Sequence, residues 1–560
     1  MQSASRLVRP RVITLVAIAA LSAAAAGGLV ASGLLSRSTS PAAAQGPPHF
    51  VDETSVAGID HLYEGGFEYA VGGGVAVFDC NADGRPDVYI AGGSGAAALY
   101  RNDSPVGGAL RFTRIADPAT DLAGVNGAYP IDLDGDGVPD VAVLRNGENV
   151  LLRGLGGCRF ERANEKLGFK GGTTPTTAFS AMWEPGAALP TLAFGSYVNA
   201  ASNDPHHLCF DNELERPLLG AATYPPAIPL NPSWCALSIL FSDWSRSGHM
   251  DLRVSNDAHY YLPTEGEEQL WRVRPGETPT LYRAEDGWVR VQVQGMGIAS
   301  YDLTGDGYPE VFLTSQADNR LQTLAGGPSQ PTYRDIGLKR GVNAAQPFTG
   351  GDTRPSTAWH AEFADVNNDG YVDLFITKGN VTEQTEYAQR DPSNLLLGQA
   401  DGTFREAADA AGITSFARGR GAALADFNLD GMLDLIEVNY GAPVRLWRNV
   451  GAGDASHPRT AGSWLALRIS QPGPNVDAIG GWAEVRLGDR IQRRELTIGG
   501  GHSGGQLGWV HFGLGDASAA DVRVLWPGGE VGPWLHVSAN RFFLLTRGAT
   551  EAKAWSPGGG

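Results

Sequence analysis

A nine-residue pattern, D-x-[DN]-x-D-G-x-x-[DE], recurs along this chain with side chains that suit one chemistry. Its first copy places Asp79, Asn81, Asp83, Gly84, Arg85 and Asp87 in that frame, and its second Asp132, Asp134, Asp136, Gly137, Val138 and Asp140. A variant with threonine at position 3 follows at Asp302, Thr304, Asp306, Gly307, Tyr308 and Glu310. Two more copies read Asp365, Asn367, Asp369, Gly370, Tyr371 and Asp373, then Asp426, Asn428, Asp430, Gly431, Met432 and Asp434. Oxygen-bearing side chains at positions 1, 3 and 5 of a tight loop converge on one point. Glycine at position 6 permits the sharp turn, position 7 offers its backbone carbonyl, and position 9 returns a carboxylate. A donor set of hard oxygens selects calcium over zinc or copper. These positions are the candidate metal ligands, and about five calcium sites are expected from the five intact copies.

The charge balance points the same way. Two carboxylates about 5 Å apart repel by roughly 3 kcal/mol at an effective dielectric of about 20. The five loops hold 16 carboxylates, four in the Asp132 loop and three in each of the others, against a formal net charge of −18 for the chain. The acidity is therefore a metal-loop signature. With no basic clustering, a nucleic-acid partner is excluded.

The loops need elements to position them, and their spacing supplies these. Two eroded copies fill the gaps: Asp243, Ser245, Ser247, Gly248 and Asp251 keep the frame with hydroxyls for carboxylates, and Trp183–Thr191 keeps mainly Pro190 and a following apolar strand. The copies start at 79, 132, 183, 243, 302, 365 and 426, a period of 51 to 63 residues, which is the size of a propeller blade. Each unit reads as four strands around its loop, as in Gly72–Phe78 before the first loop and Val88–Ile90 after it. The seventh unit lacks its fourth strand after Leu446–Asn449. Residues 48–59 supply it, in register with Thr403–Ile413, both ending Ala-Gly-Ile. The expected fold is all-β: a seven-bladed β-propeller over residues 46–450, its last blade closed by the strand at 48–59. A linker at 451–463 leads to a small β-sandwich at 464–548, and residues 549–560 read as a flexible tail.

Residues 1–44 read as an export segment: Arg6, Arg9 and Arg11 precede an apolar stretch from Val12 to Leu35. Ala42-Ala43-Ala44 would serve a cleavable signal peptide, whereas the 24-residue apolar stretch would serve an uncleaved membrane anchor. Either places the bulk of the chain outside, in the periplasm, at the cell surface or in the medium. Four cysteines form no C-x-x-C pair, and in an exported chain they allow two disulfides, with Cys209–Cys235 the favoured pair.

At this point the residues resemble a known family. Gly72–Asp79 and its repeats look like the FG-GAP (VCBS) repeats of integrin-type propellers. Asn475–Gly480, His511–Gly515 and Trp526–Gly529 look like the ASPIC/UnbV domain. Together, over residues 48 to 548, they resemble the cartilage acidic protein family in its bacterial form. The resemblance implies an extracellular calcium-binding propeller with a C-terminal β domain, and no particular activity. The family's Gly-Ala-Arg after the asparagine motif is Gly481-Trp482-Ala483 here.

Other constellations are weaker. His206-His207 beside Cys209 read as a solvated loop pair. His360 and Glu362, with Tyr129 in the place corresponding to Glu362, share a strand face that could look into the central channel, although a packed inner strand is the plainer reading. Gly501-His502-Ser503-Gly504-Gly505 fits G-x-S-x-G formally, but no helix follows it, so it reads as a flexible turn and not a nucleophile elbow. No catalytic residue and no cofactor other than calcium is assigned. The expected function is an exported, monomeric binding, adhesion or scaffold module for an extracellular protein or glycan. The alternatives are a carbohydrate- or lipid-acting enzyme with its site in the propeller funnel, and a lectin-like module stacking sugars on Trp271 or Trp288.

Overall fold

The computed structural model describes residues 46–199, 202, 208–258, 265–316, 318–343, 356–381, 388 and 390–558. Residues 1–44, expected to be an export segment, and the His206-His207 pair lie outside the described residues. No described helix is long and apolar enough to cross a membrane.

Seven sheets fill residues 49–451. Each opens with an inner strand: Val75–Phe78, Ala123–Ile131, Thr176–Met182, Ala236–Ser242, Gly295–Tyr301, Ala358–Ala364 and Gly419–Ala425. These strands touch one another in chain order and the last touches the first, so the sheets form a closed ring of blades, numbered here 1 to 7. Because each inner strand is covered on both faces, it is mostly apolar or small and does not alternate, with Asn126, His360, Glu362 and Arg420 as the large polar exceptions. The remaining strands of a blade follow antiparallel, as Asp373–Lys378, Asn394–Gly398 and Phe404–Glu406 do in blade 6. Blade 2 gains a fifth strand, Gly93–Ala96, against its inner edge.

In blade 7 the outer strand comes from the other end of the chain. His49–Asp52 pairs with Ala442–Gly451, Phe50 facing Asn449 and Val51 facing Arg448. Beside this seam the buried Glu53 carboxylate accepts a 2.8 Å hydrogen bond from Arg448 Nε.

The C-terminal region is a sandwich of two four-stranded sheets. In one, Ser463–Ser470 lies between Val510–Gly515 and Arg541–Thr546, the latter pairing being parallel. In the other, Trp482–Leu487 lies between Arg490–Glu495 and Ala519–Leu525. Leu465, Leu467, Val485, Val522 and Phe543 fill the space between them. The chain end corrects the expectation of a flexible tail: Lys553–Trp555 pairs with Arg541–Thr546, and Trp555 packs against Trp509 and Phe542.

The G-x-S-x-G segment corrects the sequence reading further. It is not a free turn; it enters the centre of the ring. Ser180 Oγ donates to Ile498 O and Gly500 N to Ile239 O. Gly501 N donates to Ile298 O and His502 N to His360 Nδ1. Ala128 N donates to Ser503 O, and Val77 N to Gly505 O. Blades 1 to 6 thus each bond this one segment of the sandwich. The glycines at the heads of the inner strands have a physical reason here. A Cβ on Gly74 would lie 1.7 Å from Ser503 O, and one on Gly127 would lie 2.0 Å from the same oxygen.

Candidate metal loops beneath the C-terminal domain

Each nine-residue loop joins the inner strand of its blade to the second strand. Position 1 folds the loop around itself. In blade 1 the Asp79 carboxylate accepts Asp83 N and Gly84 N at 3.1 and 2.9 Å. Asp365 and Asp426 accept the equivalent pairs in blades 6 and 7. Asp132 accepts Gly135 N and Gly137 N. Position 5 accepts the N–H of position 7, as Asp83 does from Arg85 and Asp369 from Tyr371. Position 9 ties the loop to the sheet. Asp87 accepts Cys80 N at 2.8 Å and Asn102 N at 2.7 Å, and Asp140, Asp373 and Asp434 repeat that pair. Glu310, one methylene longer, accepts Leu303 N, Thr304 N, Thr304 Oγ1 and Thr323 Oγ1.

These bonds gather carboxylates that repel one another. In blade 2 the oxygens of Asp132, Asp134 and Asp136 lie within 4.8 Å of each other. Burial, reinforced by neighbouring carboxylates, pushes Asp140 up to about 8 and Glu310 up to about 7. Asp365, Asp373, Asp426 and Asp434 rise well above the ordinary carboxylate range for the same two reasons. Such a cluster must take up either protons or a cation. The donor chemistry fits a hard cation. All side-chain donors are oxygens, and two of them, the buried Asn428 Oδ1 and Asp302 Oδ1, have no hydrogen-bond partner. Each carboxylate oxygen that already accepts one N–H keeps a second lone pair.

The eroded loops pair a carboxylate with a guanidinium of their own blade, as Arg153 does for Asp134 and Asp136 at the more exposed edge of the blade 2 loop. In blade 4, Asp251 is buried against Arg274 at 2.5 Å and also accepts Trp244 Nε1 and Tyr282 OH. In blade 3, Glu184 pairs with Arg216 at 2.7 Å.

The sandwich lies over the loop face. Arg468 reaches Asp79 at 3.4 Å, and Arg493 reaches Asp302 at 2.9 Å. Trp509 Nε1 donates to Gly84 O, and His511 Nε2 lies 2.7 Å from Asn368 Oδ1. Glu495 accepts Ser242 Oγ and Asp243 N, both at 2.6 Å. Glu484, buried, binds Arg246 of blade 4 together with Arg493 and Arg523 of its own domain.

Residues 471–552 match the model of the ASPIC and UnbV family, and residues 79–179 and 302–376 match that of the FG-GAP-like repeat. The chain combines FG-GAP-like repeats with an ASPIC and UnbV domain. It is similar to cartilage acidic protein 1 of Xenopus tropicalis, 40% identical over 43% of this chain and 35% of that one. It is also similar to the human protein of the same name, 28% identical over 42% of this chain and 33% of that one. The matched stretch spans about a third of the length of these two relatives. Among solved structures, a lectin of Agrocybe aegerita that recognises non-reducing terminal N-acetylglucosamine aligns with 67% of this chain and 93% of its own, at 16% identity and a TM-score of 0.37.

Among the described residues, a segment of the C-terminal domain occupies the centre of the ring. His360 and Glu362 do face the ring centre, but the inserted segment uses them: Gln506 Nε2 donates to Glu362 Oε1 at 2.6 Å, and Leu424 N donates to Oε2. Trp271 and Trp288, 4% and 7% exposed, are packed inside blades and have no face to stack on a sugar. The cysteines form two disulfides, Cys209–Cys235 and Cys80–Cys158. The second joins position 2 of the blade 1 loop to blade 2.

Proposed function

We propose that this protein is an exported binding or adhesion module whose FG-GAP-like loops hold calcium and whose ASPIC and UnbV domain locks the ring from within. The domain combination is of an extracellular-type binding or adhesion kind. Two disulfides suit an oxidising compartment, and the arginine-led apolar N-terminus suits delivery to one. The observation that carries the calcium reading is blade 7. Asp426, Asp430 and Asp434 are gathered in one buried loop with Asn428, whose Oδ1 has no hydrogen-bond partner. In that loop Asp426, Asn428, Asp430, the Met432 carbonyl and Asp434 would hold the ion, and the equivalent positions would do so in blades 1, 2, 5 and 6. Calcium would supply positive charge that keeps the carboxylates ionised and the loops closed. The ordered loops would then present a rigid face to the ASPIC and UnbV domain. The channel segment argues against catalysis in the ring, because its backbone occupies the place where a substrate would enter.

Differential scanning calorimetry with and without chelator, joined to elemental analysis, tests this. Bound calcium near five per chain and a melting temperature lowered by chelator are expected. A ligand at a hundredfold excess over its Kd stabilises the folded state by about 2.7 kcal/mol. No bound calcium, together with an unchanged melting temperature, would refute the reading.

A further inference from the structure

The two blades that have lost their acidic loops lie beside each other, and a cleft of about 830 Å³ opens where those loops meet the C-terminal domain. Residues 182–188 of blade 3 form one wall, residues 248–250 with Val273 and Pro275 of blade 4 the next, and residues 471–475, 479–480 and 527–528 of the sandwich the third, with Asp134 and Gly135 of blade 2 at the edge. The volume is that of a pocket for a small organic ligand, and a domain junction is where such pockets concentrate. The sequence change that made it is directional. At positions 1, 3 and 5, where the other five blades place oxygen-bearing side chains, blade 3 places Trp183, Pro185 and Ala187, and blade 4 keeps Asp243 and Asp251 but has serines at positions 3 and 5, with Met250 beside the last aspartate. Met182, Val273 and Ile479 extend the apolar lining, and Leu219, 78% exposed, lies against Gly186.

The charges around the cleft narrow the ligand class. Asp134 is bound to Arg153 at 2.6 Å, Glu184 to Arg216 at 2.7 Å, and Arg547 to Glu530 at 2.5 Å. Each carboxylate and guanidinium of the lining is therefore already paired, His249 being its other titratable side chain, so little fixed charge is left to offset the desolvation of a charged ligand. Indole and thioether groups favour an aromatic partner, through stacking and sulfur–ring contacts. We propose that this cleft is a binding site for an uncharged aromatic small molecule. The proposal deepens the binding-module reading and is built chiefly on the two loops without a full carboxylate set, with Asp134 and Gly135 of the blade 2 loop at one edge.

Prodan, an uncharged naphthyl ketone whose emission shifts to the blue on leaving water, is the probe. Titrated into calcium-saturated full-length protein, it is expected to bind saturably, one per chain, in the micromolar range. Ala188→Trp adds bulk at an exposed position of the cleft wall and is expected to weaken binding at least about tenfold with no change in melting temperature. Anilinonaphthalene sulfonate, a charged probe of similar size, is expected to bind at least about tenfold more weakly at the site that Ala188→Trp blocks. Absence of saturable prodan binding, or binding that Ala188→Trp leaves unchanged, would overturn the site. Equal affinity for the sulfonate at that site would overturn the ligand class. Calcium content measured on the same samples separates either result from a failure of the calcium reading.

Discussion

Arg493 of the C-terminal sandwich lies 2.9 Å from Oδ2 of Asp302, the first residue of the blade 5 loop, and that carboxylate is fully buried. The same guanidinium touches Glu484 at 3.2 Å, so one cation links the two domains. Removing one partner of a buried ion pair costs about 3–5 kcal/mol, because the other charge is left uncompensated. Arg493→Met is therefore expected to destabilise calcium-free protein by roughly that amount. In calcium the loss should be smaller, since the ion would neutralise Asp302 in the arginine's place. Urea unfolding of wild type and variant, with calcium and with chelator, measures both. Equal losses in the two conditions would show that Arg493 and a loop cation do not share Asp302.

The channel segment gives a steric prediction. A Cβ on Gly74 would meet the Ser503 carbonyl, a backbone group without a flexible end to yield. Gly74→Ala is expected to cost about 2 kcal/mol or more, by overpacking. Gly95→Ala is the control, because its nearest neighbour stands 3.4 Å away, and it should change stability by less than about 0.5 kcal/mol. If both variants unfold at the same urea concentration, residues 498–507 do not occupy the ring as described.

This contrast also marks what was legible in the sequence. The acidic loops are legible because nine consecutive residues carry the whole pattern, from the Asp79 fold-back to the Asp87 staple. The ring was readable because that pattern recurs at blade spacing, and its closure because residues 48–59 repeat the text of 403–413. The channel segment was not readable. Its partners, from Val77 to His360, lie more than a hundred residues away, and a run of glycines has no periodicity to betray burial. Trp271 and Trp288 give no sign of lying inside blades, whereas the Cys80–Cys158 bridge is what the favoured Cys209–Cys235 pair leaves over. The sequence leaves His360 and Glu362 as a pair that could face the centre, with a packed inner strand the plainer reading. What they face there comes from another domain.

The buried His502 makes a pH prediction. It stacks near Trp359, ring centroids 5.1 Å apart, with Arg420 on the same indole. Burial first, then the charge of Arg420, lowers its pKa from 6.5 to about 3. The unfolded chain therefore binds a proton between those values that the folded chain refuses. Its contribution to stability is complete above about pH 6.5 and is lost as pH falls toward 3. His502→Gln should lose less stability than wild type between neutral pH and pH 5, in urea unfolding series at saturating calcium. Parallel pH profiles would place the acid sensitivity elsewhere.

The Cys80–Cys158 bridge closes a loop of 78 residues between the first two acidic loops. Chain-entropy arguments give such a cross-link on the order of 4 kcal/mol of stabilisation, through restriction of the unfolded chain. Because Cys80 occupies position 2 of the blade 1 loop, between Asp79 and Asn81, the bridge also anchors a candidate metal loop to its neighbour. The double variant Cys80→Ala, Cys158→Ala is thus expected to lose on that order of stability and, separately, to weaken calcium at blade 1. Calorimetric melting reads the first effect and calcium titration the second. Cys209→Ala with Cys235→Ala, which leaves every acidic loop untouched, should lower stability while calcium stoichiometry and affinity remain as in wild type. If the two double variants lose calcium alike, the bridge at Cys80 has no special relation to its loop.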